Sequence, residues 1–108
     1  MRFTRKNFDL VKCGRKTATS RCIEQLRYYQ SKVGKRAWAI DSSDLRECIQ
    51  ITITEVQVLP LAEVKKYHYS EEGYDSPEEF ERVWRAIYGG FDGRVKVPFI
   101  RFRLGWRA

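Results

Sequence analysis

The sequence predicts an α+β fold, a small mixed or antiparallel β-barrel flanked by two or three short helices. Two strand patterns and one helical pattern lead there. Ile49, Ile51 and Ile53 keep a period of two, and the apolar parity then changes to Val56 and Val58, as happens when a long strand bends or carries a bulge. Val95, Val97 and Phe99 likewise give way to Ile100, Phe102 and Leu104, with Pro98, which cannot donate to a ladder, beside the switch. Between these strands Phe80, Val83, Trp84, Ile87 and Tyr88 recur at helical spacing. Strands that change facing midway suit a strongly curved sheet better than a flat one.

Residues 5–13 place Phe8 and Val11 on one side of a short helix, and Gly14 supplies the left-handed residue on which helices commonly end. Residues 17–21 alternate and hold two β-branched threonines, so a strand is expected. Residues 23–35 are polar and aromatic without a clear period and read as a loop turning at Gly34. Residues 36–40 read as a strand around Trp38. The helix following Ser76 is the best punctuated: Ser76 caps it, Pro77 takes its first position, Glu79 completes a capping box and Gly89-Gly90 ends it. Its apolar stripe predicts a face buried against the barrel.

A chain of 108 residues with 43% hydrophobic side chains is expected to form one domain, 1–108, and is too apolar to stay disordered. Lys and Arg number 21 against 14 Asp and Glu. The excess lies in residues 1–36, where eleven basic side chains face only Asp9 and Glu24, whereas residues 63–81 hold seven acids against Lys65 and Lys66. A molecule with two electrical sides is expected, the basic one suited to phosphate or RNA. Cys13, Cys22 and Cys48 are odd in number and lack the close pairs of metal sites, which predicts reduced thiols in the core and neither disulfides nor zinc. His68 stands alone and is expected at the surface, with no metal site to join. With no leader-like opening and no long apolar run, no membrane partner and a cytoplasmic location are expected.

The stretch richest in chemistry is Gly14-Arg15-Lys16-Thr17-Ala18-Thr19-Ser20-Arg21. In a regular strand Lys16 and Thr19 point to opposite faces, so they meet only if the backbone from Gly14 to Thr17 is still curling out of the helix. If 17–21 is extended, Thr17, Thr19 and Arg21 share a face, and the last two line one pocket. Arg21 suits a carboxylate, a pyrimidine carbonyl or a phosphate. Tyr28, Tyr29 and Trp38 are near enough in sequence to stack on a base.

The pattern Gly14-x-Lys16-x-x-Thr19-x-Arg21 resembles the signature of small ASCH proteins, which have a PUA-like β-barrel associated with RNA or modified nucleosides. Glu71-Glu72-Gly73-Tyr74-Asp75-Ser76-Pro77-Glu78-Glu79-Phe80, Trp84 and Ile87-Tyr88 look like that family's acidic turn and helix, and Val97 to Leu104 looks like its closing strand. A parallel within the family is the group of amidohydrolases that remove the acyl group from N(4)-acetylcytidine with a lysine, a threonine and a glutamate. Carried over by motif, the resemblance implies Thr19 as nucleophile, Lys16 as its proton acceptor and Glu72 as the assisting acid or base. Arg21, Thr17, Trp38 and Tyr28 are the expected substrate-binding residues. The implied enzyme is a metal-independent amidohydrolase of acylated cytidine or a related modified nucleoside, without cofactor, a monomer or weak dimer.

Several points stay open in the sequence. A slip of one residue exchanges Glu71 for Glu72. A lysine acts as a base near neutrality only if burial lowers its pKa, while a touching carboxylate holds it charged. If Glu72 touches Lys16, the lysine serves as an ammonium toward the oxyanion and Glu72 activates Thr19 or a water; if substrate separates them, the lysine-base scheme holds. A non-catalytic RNA-binding module and a ribonuclease are the competing readings of the same barrel. Val33-Gly34-Lys35, where many relatives have Val-Gly-Asp, and the long Arg- and Tyr-rich segment 22–32 predict a different pocket rim.

Overall fold

In the computed structural model, which describes residues 1–105, the elements run β1 (Arg2–Phe3), α1 (Arg5–Lys12), β2 (Ala18–Ser20), α2 (Leu26–Gln30), β3 (Arg36–Asp41), β4 (Asp44–Pro60), α3 (Leu61–Tyr67), α4 (Pro77–Tyr88) and β5 (Lys96–Leu104). The five strands form one sheet in the order β1-β3-β4-β5-β2. β1 lies parallel to β3, and the other pairs are antiparallel. The α+β fold expected from the sequence is thus found, as a mixed sheet curled into a half-barrel, with four helices among the described residues instead of two or three.

The parity change in β4 is a bulge. Its register against β5 passes from Ile53↔Phe102 to Glu55↔Arg101, leaving Thr54 as the extra residue, and the strand bends there. β5 keeps an unbroken register, so its own change of parity has another cause: Val97, Pro98, Phe99 and Ile100 are all buried, because both faces of the strand are covered. Phe99 packs with Leu61, Val64 and Phe80 under α3 and α4, and Ile100 packs with Ile53 and Tyr29 under α2. A third cluster of Phe3, Phe8, Val11, Ile51 and Phe102 sits under α1. Pro98 lies one position past the last β2 pair, Ser20↔Phe99, and its carbonyl accepts from the Arg21 amide at 3.2 Å, so the missing N–H falls where the β2 ladder ends.

Helix ends follow the residues. Thr4 accepts from the Asn7 amide at 3.3 Å to start α1, and Gly14, at φ +83°, turns the chain away after it. Ser76 accepts from the Glu79 amide at 3.1 Å; the Glu79 carboxylate reaches back one residue further than in a regular capping box, to the Asp75 amide at 3.2 Å. The expected loop at 23–35 instead holds a 3-10 turn, Ile23–Gln25, and α2. Neither of these, nor α3, has a side-chain cap, and α2 and α3 span five and seven residues, too few for a period to emerge. The cysteines are free but not core: Cys13 and Cys48 are exposed and Cys22 is half-buried. No helix among the described residues is long and apolar enough to cross a membrane.

Candidate active site

The backbone past Gly14 curls before it becomes a strand. The amides of Arg15 and Lys16 both donate to the Leu10 carbonyl, at 3.0 and 2.9 Å, and those of Thr17 and Ala18 both donate to the Glu71 carbonyl, at 2.8 and 3.1 Å. The first pair turns Lys16 inward to 2% exposure; the second docks the acidic turn against the start of β2. Gly73 makes that docking possible. It has φ +95°, and a Cβ there would lie 3.2 Å from Lys16 Cβ and 3.1 Å from Leu10 Cδ1.

Glu72, 3% exposed, is thereby set against Lys16. The Lys16 ammonium lies 3.0 Å from Glu72 Oε1 and also donates to the Glu72 carbonyl at 2.9 Å. Ser20 Oγ donates to the other carboxylate oxygen, Oε2, at 2.6 Å. Burial pushes the Lys16 ammonium below its ordinary range, and the Glu72 charge opposes that shift. Tyr74, whose ring lies 5.5 Å from the ammonium, donates its hydroxyl to Asn7 Oδ1 at 3.1 Å. Burial, and next the Glu72 charge, push this phenol up to about 12, so it stays neutral.

Thr19 belongs to the same cleft. Arg21 Nη1 donates to Thr19 Oγ1 at 3.3 Å, and Arg21 Nη2 donates to the Arg2 carbonyl at 3.0 Å. The Arg21 guanidinium also lies 4.8 Å from the centre of the Phe3 ring. β1 and β2 are the two edges of the sheet, and no ladder joins them among the described residues. β1 faces β3 through the carbonyls of Met1 and Phe3, which accept from Ile40 and Ser42; the Arg2 carbonyl is left for Arg21. One side chain therefore spans the seam of the half-barrel at the mouth of the cleft.

α4 forms the opposite wall. Of its apolar stripe only Phe80 is fully buried; Ile87 and Tyr88 are 51% and 40% exposed, and with Val83 and Trp84 they line the cleft. The face expected to pack wholly into the core is thus half core and half cleft wall, with the Trp84 and Tyr88 rings 4.2 Å apart. These rings narrow the inner cleft to about 30 Å³, less than a pyrimidine needs. An outer cleft of about 280 Å³ adjoins it, sharing Asn7, Arg21, Ile87 and Tyr88.

Of the residues singled out in the sequence, Lys16, Thr19, Arg21 and Glu72 are brought together. Thr17 is exposed and outside the cleft walls. Trp38 and Tyr28 line a different cleft with Lys32 and Arg36, which shares no wall residue with the cleft that holds Thr19. Glu71 points away from Lys16: Arg101 Nε donates to its Oε2 at 2.7 Å, and His68 Nδ1 lies 2.9 Å from its Oε1. His68 is accordingly half-buried, its ring 4.9 Å from that of Phe99, and not a surface residue. Sequence reasoning missed Ser20, Asn7 and Tyr74. Ser20 alone was within reach, as a third hydroxyl beside the two threonines.

A model of the ASCH domain matches residues 3–104. The chain belongs to the ASCH domain family. ASCH domains are PUA-like, and RNA binding and hydrolase activity have been proposed for them. Solved structures agree in fold. A protein of Enterococcus faecalis is 24% identical, with a TM-score of 0.65 over 92% of this chain and 69% of its own. An ASCH domain from Lactobacillus crispatus is 15% identical, with a TM-score of 0.67 over 92% of this chain and 70% of its own. A point mutant of an ASCH protein from Zymomonas mobilis is 15% identical, with a TM-score of 0.67 over 98% and 68%. Among curated proteins no sequence matches the chain.

Proposed function

We propose that this ASCH domain is an amidohydrolase that removes the acyl group from N(4)-acylated cytidine or a related modified nucleoside. The observation that carries the reading is the Glu72 carboxylate, held between the Lys16 ammonium and the Ser20 hydroxyl in a cleft that also holds Thr19 and Arg21. A pure binder of anions needs the cations and has no use for a buried carboxylate among them.

Because Glu72 touches Lys16, the lysine is assigned the role of an ammonium facing the oxyanion, and Glu72 that of the proton carrier. Thr19 Oγ1, oriented by the Arg21 donor, attacks the acyl carbonyl carbon as its proton passes to Glu72. The carbon–nitrogen bond then breaks, the exocyclic nitrogen takes that proton, and cytidine leaves. Water attacks the threonine ester, giving a proton to Glu72, and Thr19 recovers it as the carboxylic acid departs. Ser20 holds Glu72 in place throughout.

The test is hydrolysis of N(4)-acetylcytidine, followed by the absorbance change on release of cytidine, with Thr19→Ala and Glu72→Gln compared at equal fold content by circular dichroism. Turnover by the parent and a loss of about 100-fold to 10,000-fold in Glu72→Gln support the reading. No turnover by the parent, together with RNA affinity that falls steeply with salt, overturns it in favour of an RNA-binding module.

A further inference from the structure

An inner cleft of about 30 Å³ is too small for a pyrimidine ring, which places the ring and ribose of a bound nucleoside in the adjoining outer cleft of about 280 Å³. That placement of the base rests on the acyl-cytidine reading. The walls of the outer cleft include Arg2, Arg21, Thr4 and Ser42, and no carboxylate.

The charge there is uncompensated. Arg5, Arg15, Arg85 and Arg101 each face an Asp or Glu, whereas Arg2, which is exposed, and Arg21 make no ion pair among the described residues. Arg21 is also immobilised. Two of its five N–H donors are taken by Thr19 and the Arg2 carbonyl, and its central carbon lies over the Phe3 ring. A guanidinium already held in place loses little rotamer freedom when an anion arrives, and its remaining donors match the oxygens of a phosphate.

We propose that the outer cleft is a phosphate subsite, formed by Arg2 and Arg21, that selects acylated cytidine bearing a ribose-linked phosphate over the free nucleoside. Arg2 supplies the adjustable half of the pair and Arg21 the fixed half. The phosphate belongs either to a free nucleotide or to an RNA chain.

Three substrates are compared: N(4)-acetylcytidine, its 5′-monophosphate, and a short oligoribonucleotide holding one acetylated cytidine. In the parent, kcat/KM for the monophosphate should exceed that for the nucleoside by about tenfold, the worth of one charge-assisted bond to the phosphate. The advantage should close at high salt and in Arg2→Gln, with nucleoside turnover unchanged. Oligonucleotide turnover that follows the monophosphate places the substrate among free nucleotides; turnover that exceeds it places the substrate among RNA chains.

Calorimetry with cytidine and cytidine 5′-monophosphate reads the subsite without any reaction. Equal kcat/KM for nucleoside and monophosphate overturns the subsite and leaves the amidohydrolase standing. If no substrate is turned over, the amidohydrolase falls, and the subsite stands or falls on whether the monophosphate binds more tightly than cytidine in an Arg2-dependent manner.

Discussion

The Ser20 hydroxyl lies 2.6 Å from Glu72 Oε2, the carboxylate oxygen that Lys16 does not engage. Each oxygen of the acid thus has its own donor, and the carboxylate has one orientation in which both are met. Ser20→Ala removes one of the two. We expect kcat for N(4)-acetylcytidine to fall about 10-fold to 100-fold from misplacement of Glu72, with little change in KM and a smaller loss than in Thr19→Ala. Steady-state kinetics on the two variants check this, and a larger loss in Ser20→Ala would transfer the nucleophile from Thr19 to Ser20.

Lys16 and Glu72 are an ion pair whose side chains are 1% and 4% exposed. Removing one member strands the other without water. Lys16→Met should destabilise the fold by about 3–5 kcal/mol, and adding Glu72→Leu should return much of that, because two apolar groups need no partner. Urea denaturation of the single and double variants gives the coupling; strictly additive effects would contradict it.

Gly73 holds the turn at φ +95°, with Lys16 and Leu10 where a side chain would begin. Gly73→Ala combines backbone strain with a close contact on a buried neighbour, for a cost of about 1–3 kcal/mol. Because Glu72 is the preceding residue, activity should fall more than stability does. Paired melting and kinetic measurements decide this, and a variant with parent-like activity would show that the turn does not set the position of the carboxylate.

The Tyr74 phenol should stay protonated until pH approaches about 12. Burial disfavours the phenolate, and so does the Glu72 charge, so both raise the pKa; the phenolate is better solvated in the unfolded chain, where an ordinary tyrosine titrates near 10. The folded state therefore binds the proton more tightly, and this group's contribution to stability is lost as pH rises from the unfolded value through the folded one. Ultraviolet titration of the parent against Tyr74→Phe isolates the group, and a midpoint near 10 would refute its burial beside Glu72.

Elements with strong local punctuation were legible in the sequence. α4 has Ser76, Pro77 and Gly89 at its ends, and the Thr54 bulge announces itself as a break in parity along β4. The convergence of Lys16, Thr19 and Glu72 was accessible only through resemblance, because residues 16 and 72 meet through amides pointed at the carbonyls of Leu10 and Glu71, and backbone bonds of that kind leave no mark in residue type. α2 escaped for want of a cap. Trp38 lines another cleft, with Tyr28 and Lys32, because nearness along the chain says nothing of which side of the folded sheet a residue meets. Ser20 was overlooked since a strand's alternation turns it away from Thr19, and only the docked acidic turn supplies it with a partner.

Arg21 joins the sheet's two margins with two side-chain hydrogen bonds. Had β1 and β2 been stitched by a ladder, admitting a ligand would mean peeling strands apart, at the expense of several backbone bonds together. A clasp made of a single guanidinium closes the seam with two side-chain hydrogen bonds and leaves the ladders of the sheet out of ligand entry.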